Sequence, residues 1–148
     1  MRLRRPHAPP YAVGVKVSFV IPCYQEASAL DAGLTALLAI PADEIVFVDD
    51  GSTDGTADRL ARAATLDARV RVVTHPTNRG VGAAVRTGFA AATGDLIVTY
   101  DADRTYPATD AERLIAAVEA GAGVATASPF VPGGALSIGP FRRLMSQG

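Results

Sequence analysis

Gly94-Asp-Leu-Ile-Val-Thr-Tyr-Asp-Ala-Asp103 is the stretch on which the reading of the fold turns. Its apolar run, Leu96 to Tyr100, is short, rich in strand formers, and stops at two carboxylates, Asp101 and Asp103, with one small residue between them. Side chains at i and i+2 of an extended segment share a face, so two aspartates at a strand exit converge. Like charges held that close repel unless a cation lies between them. Carboxylate oxygens with no Cys or His near them in sequence suit a hard ion such as Mg²⁺ or Mn²⁺. Taken alone, the pair reads more simply as two solvated loop acids, and the remainder of the chain decides between the readings.

The same grammar recurs upstream. Val15–Ile21 is a β-branched run stopped by Pro22, the pattern of a buried strand. Ser28 is placed to cap a helix whose Leu30, Leu34, Leu37 and Leu38 fall on one face, and Pro41 closes it. Glu44–Val48 is a second strand, again ending in two acids, Asp49 and Asp50. Gly51–Gly55 is a turn, with Thr53 or Asp54 as cap of a helix running to about Ala64. Val70–Thr74 is a third strand, followed by the loop His75–Gly80 and a helical stripe of Val81, Ala84, Val85, Gly88 and Phe89.

Beyond the aspartate pair, Pro107 suits a first helical turn, and Ala111, Leu114, Ile115 and Val118 repeat at helical spacing. Val124–Ala127 is the expected fifth strand. From Ser128 onward Pro and Gly dominate. Strands alternating with helices imply right-handed βαβ units, hence an α/β fold: a doubly wound, three-layer Rossmann-like sandwich around a mostly parallel sheet. The expected organisation is a flexible lead-in over 1–14, one α/β domain over 15–128, and a Pro/Gly-rich tail over 129–148.

Composition narrows the classes. A chain of 148 residues, 49% hydrophobic and 20% charged, is long enough for a core and is neither disordered nor a coiled coil. A net charge of −1 gives no footprint for nucleic acid. Cys23 is the only cysteine, which excludes an internal disulfide and a Cys-rich zinc site and fits a reducing cytoplasm. No apolar run approaches the ~20 residues of a membrane span, and the basic start Met1–Arg5 lacks the apolar stretch of a signal peptide.

Ligands of open α/β sheets bind beyond the carboxyl ends of the strands. Three exits here carry polar groups: Tyr24 and Glu26, Asp49 and Asp50, Asp101 and Asp103. A fourth element, Asn78-Arg-Gly-Val-Gly82, offers glycines and a helix start, which favour close approach of a diphosphate. The segments Val20-Ile-Pro-Cys-Tyr-Gln-Glu26, Val48-Asp-Asp-Gly-Ser-Thr-Asp-Gly55, Asn78–Gly82 with Arg86-Thr-Gly-Phe89, and Gly94–Asp103 resemble, in that order, the family 2 glycosyltransferases of the GT-A fold. The branch they look most like is that of the polyprenyl-phosphate (dolichol-phosphate) mannose synthases. Measured against that family, the chain reads as truncated at its C-terminal, acceptor-side end.

The resemblance implies an inverting transfer of a sugar such as mannose or glucose from a GDP- or UDP-linked donor to a polyprenyl phosphate, assisted by Mg²⁺ or Mn²⁺. It implies that Pro22, Tyr24 and Glu26 line the nucleotide pocket and that Asp50, with Asp49, meets the base or ribose. For Asp49, holding the strand–loop turn is the alternative. Gly80, Gly82 and Arg86 would lie near the donor, Ala102 beside it, and Arg142 would meet phosphate. Asp101 and Asp103 would be the catalytic, metal-holding pair. A lipid acceptor implies a cytoplasmic protein peripheral to the inner face of the membrane. Thr105 stands where relatives offer another metal ligand, and Ala127-Ser128-Pro129 lacks an arginine usual in that branch. Two other readings stay open: a nucleotide-sugar-binding remnant without turnover, and a phosphatase of the haloacid dehalogenase type, whose D-x-D-x-T motif Asp101–Thr105 fits but whose downstream lysine is missing.

Overall fold

The computed structural model describes residues 14–103 and 108–127. Its first strand, β1 (Val17–Cys23), has Val17, Phe19, Val20 and Ile21 fully buried, so both faces of the strand are covered. That is the environment of a parallel sheet with helices on two sides. The elements that follow are α1 (Ala27–Leu38), β2 (Glu44–Asp49), α2 (Thr56–Leu66), β3 (Val70–Thr74), α3 (Val81–Ala91), β4 (Leu96–Thr99) and α4 (Ala108–Glu119). All strand pairs are parallel, in the order β3-β2-β1-β4, with Val20 level with Val46 on one side and Thr99 on the other. The α/β fold expected from the sequence is the one observed.

Strand order fixes the layers. The crossovers through α1 and α2 step the same way across the sheet, and right-handedness puts both helices on one face, where they pack on each other. The crossover through α3 reverses direction and occupies the other face, where Ala84 packs among Val20, Val46 and Val48. A Cβ at Gly88 would run into the Cγ1 of Val20, so α3 lies too close to the sheet for any larger residue there. This explains a departure from the expected stripe: the buried face of α3 is Ala83, Ala84 and Gly88, while Val81 and Phe89 are exposed.

The other departures are local. Pro22 does not stop β1, which continues through it to Cys23 with both residues paired to β2. Ser28 does not cap α1, which begins at Ala27. No fifth strand forms at Val124–Ala127, where Val124 is 83% exposed; with one large apolar residue, Val-Ala-Thr-Ala gives a strand little to bury. The chain divides into two compact units at residues 104 and 105. In the second, α4 buries Ala111 and Ile115 and ends at Gly121 (φ 109°), whose N–H donates to Val118 O while Ala122 donates to Ala117 O. These are the paired bonds of a glycine-terminated helix. The expected lead-in, the Pro/Gly tail, Pro107, Thr105 and Arg142 lie outside the described residues.

At the amino edge of the sheet, Glu44 is buried and gathers donors from three other elements. Ser18 Oγ donates at 2.6 Å, Thr93 N at 2.7 Å and Arg71 at 2.9 Å. Gly94 N donates in turn to Ser18 Oγ, and a side chain at Gly94 would collide with the backbone of Lys16 and Ser18. This pins the turn from α3 into β4. Burial works against the charge of Glu44, but the bonds from Ser18, Thr93 and Arg71 outweigh it and lower its pKa from 4.5 to about 2. A depressed carboxylate contributes stability that is complete above about pH 4.5 and drains as pH falls toward 2. Glu44→Gln is therefore expected to be less stable than the parent at pH 7, with a gap that narrows between pH 5 and pH 2, as read from melting temperatures across that range.

Candidate functional site at the carboxyl edge of the sheet

β1 ends at Cys23, whose buried thiol is pushed far up in pKa by its burial and then by the charges of Glu26 and Asp49, so it stays protonated. Gln25 then takes φ 57°, the only left-handed non-glycine residue among those described. Side chains disfavour that region by about 1–2 kcal/mol, and the β2–α2 loop holds it there. Gln25 N donates to Ser52 Oγ at 3.1 Å, its Nε2 to Thr53 Oγ1 at 3.1 Å, and Thr53 N returns a bond to Gln25 Oε1 at 2.9 Å. One residue on, Glu26 N donates to Thr56 Oγ1 and Ala27 N to Asp54 Oδ2. Asp54 also accepts from Thr56 N and Thr56 Oγ1, so a single carboxylate serves the starts of both α1 and α2. Tyr24, 48% exposed, and the half-buried Glu26 are thereby fixed on a doubly tethered turn.

Asp49 and Asp50 are almost wholly buried, at 1% and 2% exposed. Asp49 Oδ1 accepts from Ser52 N at 3.1 Å and so closes the turn after β2. Asp50 reaches across to the loop after β3: its Oδ1 lies 2.6 Å from His75 Nδ1 and accepts from Arg79 N at 3.0 Å, and its Oδ2 accepts from Gly80 N at 2.7 Å. Burial raises the pKa of Asp50, but the His75 bond and the Arg79 and Gly80 N–H groups more than offset this and hold it below the usual carboxylate value. Gly51 (φ 74°) has no room for a side chain, because Thr77 and Asn78 press their backbone against it. The loop is thus locked onto β2 before it enters α3.

Gly80 (φ 87°) begins α3, and its carbonyl takes the N–H groups of Ala83 and Ala84. The first-turn donors still to be matched at such a helix start are those of Val81 and Gly82, the arrangement that favours an anion. Nothing lies within 4 Å of where a Cβ of Gly80 or Gly82 would stand, so this side of the loop is open. Arg86 is exposed one turn further along α3.

β4 ends at Thr99, and Tyr100 N donates to Val20 O at 3.0 Å. Asp101 and Asp103 are both exposed, on either side of Ala102, which is 3% exposed. Because β4 neighbours β1 while α3 lies on the opposite face from α1, these acids stand at the topological switch point of the sheet. The exit of β1, with Pro22, Tyr24 and Glu26, is one strand spacing away, roughly 5 Å. Among the described residues no three His, Cys, Asp or Glu side chains converge as a metal cage. Two exposed carboxylates remain compatible with a hard divalent ion whose other positions are filled by ligand oxygens and water.

The fold thus gathers Pro22, Tyr24, Glu26, Asp49, Asp50, Gly80, Gly82, Asp101, Ala102 and Asp103 along one edge. Sequence reasoning missed Gln25, His75 and Thr56, whose importance comes from partners 12 to 30 residues away. Only a histidine directly after a strand exit was a signal for any of them.

Residues 18–144 match glycosyl transferase family 2. The chain is 36% identical over 142 residues to a dolichol-phosphate mannosyltransferase of Pyrococcus furiosus, covering 90% of this chain and 39% of that protein. It is 38% identical over 112 residues to an undecaprenyl-phosphate 4-deoxy-4-formamido-L-arabinose transferase of Yersinia pestis, covering 72% and 34%. Among solved structures it is similar to a mannosyltransferase of Pyrobaculum calidifontis in complex with GDP-Man and Mn²⁺, at TM-score 0.54 and 31% identity, over 65% of this chain and 29% of that one. It is also similar to the glucosyl-3-phosphoglycerate synthase of Mycobacterium tuberculosis in complex with UDP, at TM-score 0.58 and 25% identity, over 82% and 48%. The chain therefore spans well under half the length of the two curated relatives.

The tether of Gln25 carries its own expectation. Gln25→Ala loses the paired bonds to Thr53 yet keeps the left-handed strain, whereas Gln25→Gly loses the bonds and relieves the strain. Gln25→Gly is expected to melt higher than Gln25→Ala, by an amount equivalent to about 1 kcal/mol, and equal melting temperatures would mean that residue 25 carries no left-handed strain.

Proposed function

Because the chain belongs to glycosyl transferase family 2, we propose that it binds a nucleoside-diphosphate sugar at the carboxyl edge of the sheet and transfers the sugar, with inversion, to a polyprenyl phosphate. The observation that carries this reading is the pair Asp101 and Asp103, exposed beside the exit of β1 at the switch point. The polyprenyl-phosphate substrates in the names of the two curated relatives support the acceptor class. GDP-Man with Mn²⁺ in one structural neighbour, and UDP in another, support the donor class and a divalent ion. The phosphatase reading falls with the family membership.

Each group then has a task. Pro22, Tyr24 and Glu26 line the nucleotide pocket, with the ring of Tyr24 available to a base. Gly80, Gly82 and the start of α3 receive the diphosphate, with Arg86 nearby, while Asp49 and Asp50 serve from beneath the loops, Asp50 reaching the donor through the loop it holds. Ala102, its side chain turned inward, offers the donor only backbone. Arg142 is the proposed phosphate contact of the acceptor side. Asp101 and Asp103 would hold Mg²⁺ or Mn²⁺, which supplies Lewis-acid stabilisation of the charge that develops on the departing diphosphate. In the transfer, an acceptor phosphate oxygen forms the new bond to the anomeric carbon as the bond from that carbon to the diphosphate oxygen breaks. The attacking oxygen is already anionic, so no general base is required of the chain.

No described helix is long and apolar enough to cross a membrane, and a peripheral position at a membrane surface follows in this reading from the lipid acceptor. GDP or UDP is expected to bind at least tenfold more weakly when Mn²⁺ is withheld or when Asp103 is replaced by Ala, measured by calorimetry. Equal affinity with and without metal would overturn the role of the aspartate pair. With labelled GDP-mannose and a polyprenyl phosphate in detergent, labelled lipid is expected. Nucleotide binding without product would favour the reading as a binding remnant.

A further inference from the structure

His75 has no part in the reading above, yet it is 5% exposed and both ring nitrogens are engaged. Nδ1 lies 2.6 Å from Asp50 Oδ1 and Nε2 lies 2.9 Å from Thr87 Oγ1 on α3. An ionised carboxylate only accepts, so Nδ1 carries the proton and, in the neutral ring, Nε2 accepts from the Thr87 hydroxyl. The backbone fixes both partners at strand ends, since His75 N donates to Asp49 O and Asp50 N donates to Cys23 O, each at 2.8 Å. What the backbone leaves free is the terminal torsion of Asp50, a broad, soft rotation in an aspartate. The orientation of that carboxylate decides whether its oxygens face the N–H groups of Arg79 and Gly80.

We propose that His75 is a positioning residue for the donor loop: held by Thr87, its Nδ1–H fixes the buried Asp50 carboxylate so that this carboxylate clamps Arg79 and Gly80 and sets the turn into α3. The inference rests on the reading of residues 78–82 as the diphosphate-binding loop. Three features support the clamp over plain packing. The Asp50 oxygens are engaged on two sides, by one imidazole and two backbone donors. The opposite side of the loop, at Gly80 and Gly82, is open. And the ring bridges the end of β2 to α3, so loop and helix start are set by one side chain.

Histidine variants separate the two ring contacts. Asn carries a donor near the position of Nδ1, and Gln reaches only toward that of Nε2. Amide hydrogen exchange of Arg79 and Gly80 is to be followed by NMR in the whole chain, together with titration of GDP and UDP in the presence of Mn²⁺. In His75→Asn, protection of both amides is expected to stay within about threefold of the parent. In His75→Gln it is expected to fall at least tenfold, with nucleotide affinity falling alongside and circular dichroism unchanged. Thr87→Val, which spares the Asp50 contact, gives an intermediate loss. Parental protection in His75→Gln would overturn the proposal, and so would a loss in His75→Asn as large as in His75→Gln. Should the parent bind neither nucleotide, the transferase reading fails, while the exchange comparison still decides whether the clamp exists.

Discussion

A carboxylate taken out of water must be surrounded by donors, and in this chain the one that matters most is Asp50. An unpaired charge with 2% exposure would cost several kcal/mol. The chain meets that demand with N–H groups from a loop more than 25 residues away. The demand of Asp50 for partners and the need of the loop for a shape are therefore one constraint. The loop in turn fixes where α3 starts, α3 fixes where β4 begins, and β4 delivers Asp101 and Asp103 to the edge. Polar groups at the opposite edge are arranged differently. There the buried Glu44 accepts from Ser18, Thr93 and Arg71, and Ser18 Oγ accepts in turn from Gly94 N.

Much of the architecture was legible because its signals are local. Each of the four strands is a short apolar run rich in β-branched residues, and β3 matches its sequence reading residue for residue, although β1 runs through Pro22 to Cys23 instead of stopping at the proline. The acids at the strand exits were visible for the same reason, since a run of apolar residues ending in carboxylates is a one-dimensional pattern. What failed was whatever depended on a distant partner or on distance itself. Ser28 has the chemistry of a cap, but the α1 start is satisfied by Asp54 and Thr56 from the next loop. Val81 and Phe89 have the hydrophobicity of core residues, but α3 sits so close to Val20 that only Ala and Gly fit beneath it. Periodicity ranks positions by apolarity, whereas close packing here ranks them by size. Val124–Ala127 failed for a simpler reason: its composition allows a strand without giving it anything to bury.

The site itself was half legible. Side chains that face outward, Tyr24, Asp101 and Asp103, announce themselves by type and spacing. The residues that hold their loops do not. Gln25 adopts a conformation its type disfavours, and His75 is one imidazole in a polar loop. Both become informative only when the bonds they make are known, because those bonds run to loops distant in sequence.

The close approach of α3 to β1 has a consequence for how this chain can vary. An eleven-residue helix is about 16 Å long and here joins the Asn78–Gly80 loop at one end to the turn that launches β4 at the other. It behaves as a strut whose height above the sheet is set where Gly88 meets Val20. A bulkier side chain at either position would lift the strut, and both ends of the edge it spans would move together. A larger residue at position 88 would therefore need a compensating trim at position 20, which couples the two positions through packing alone.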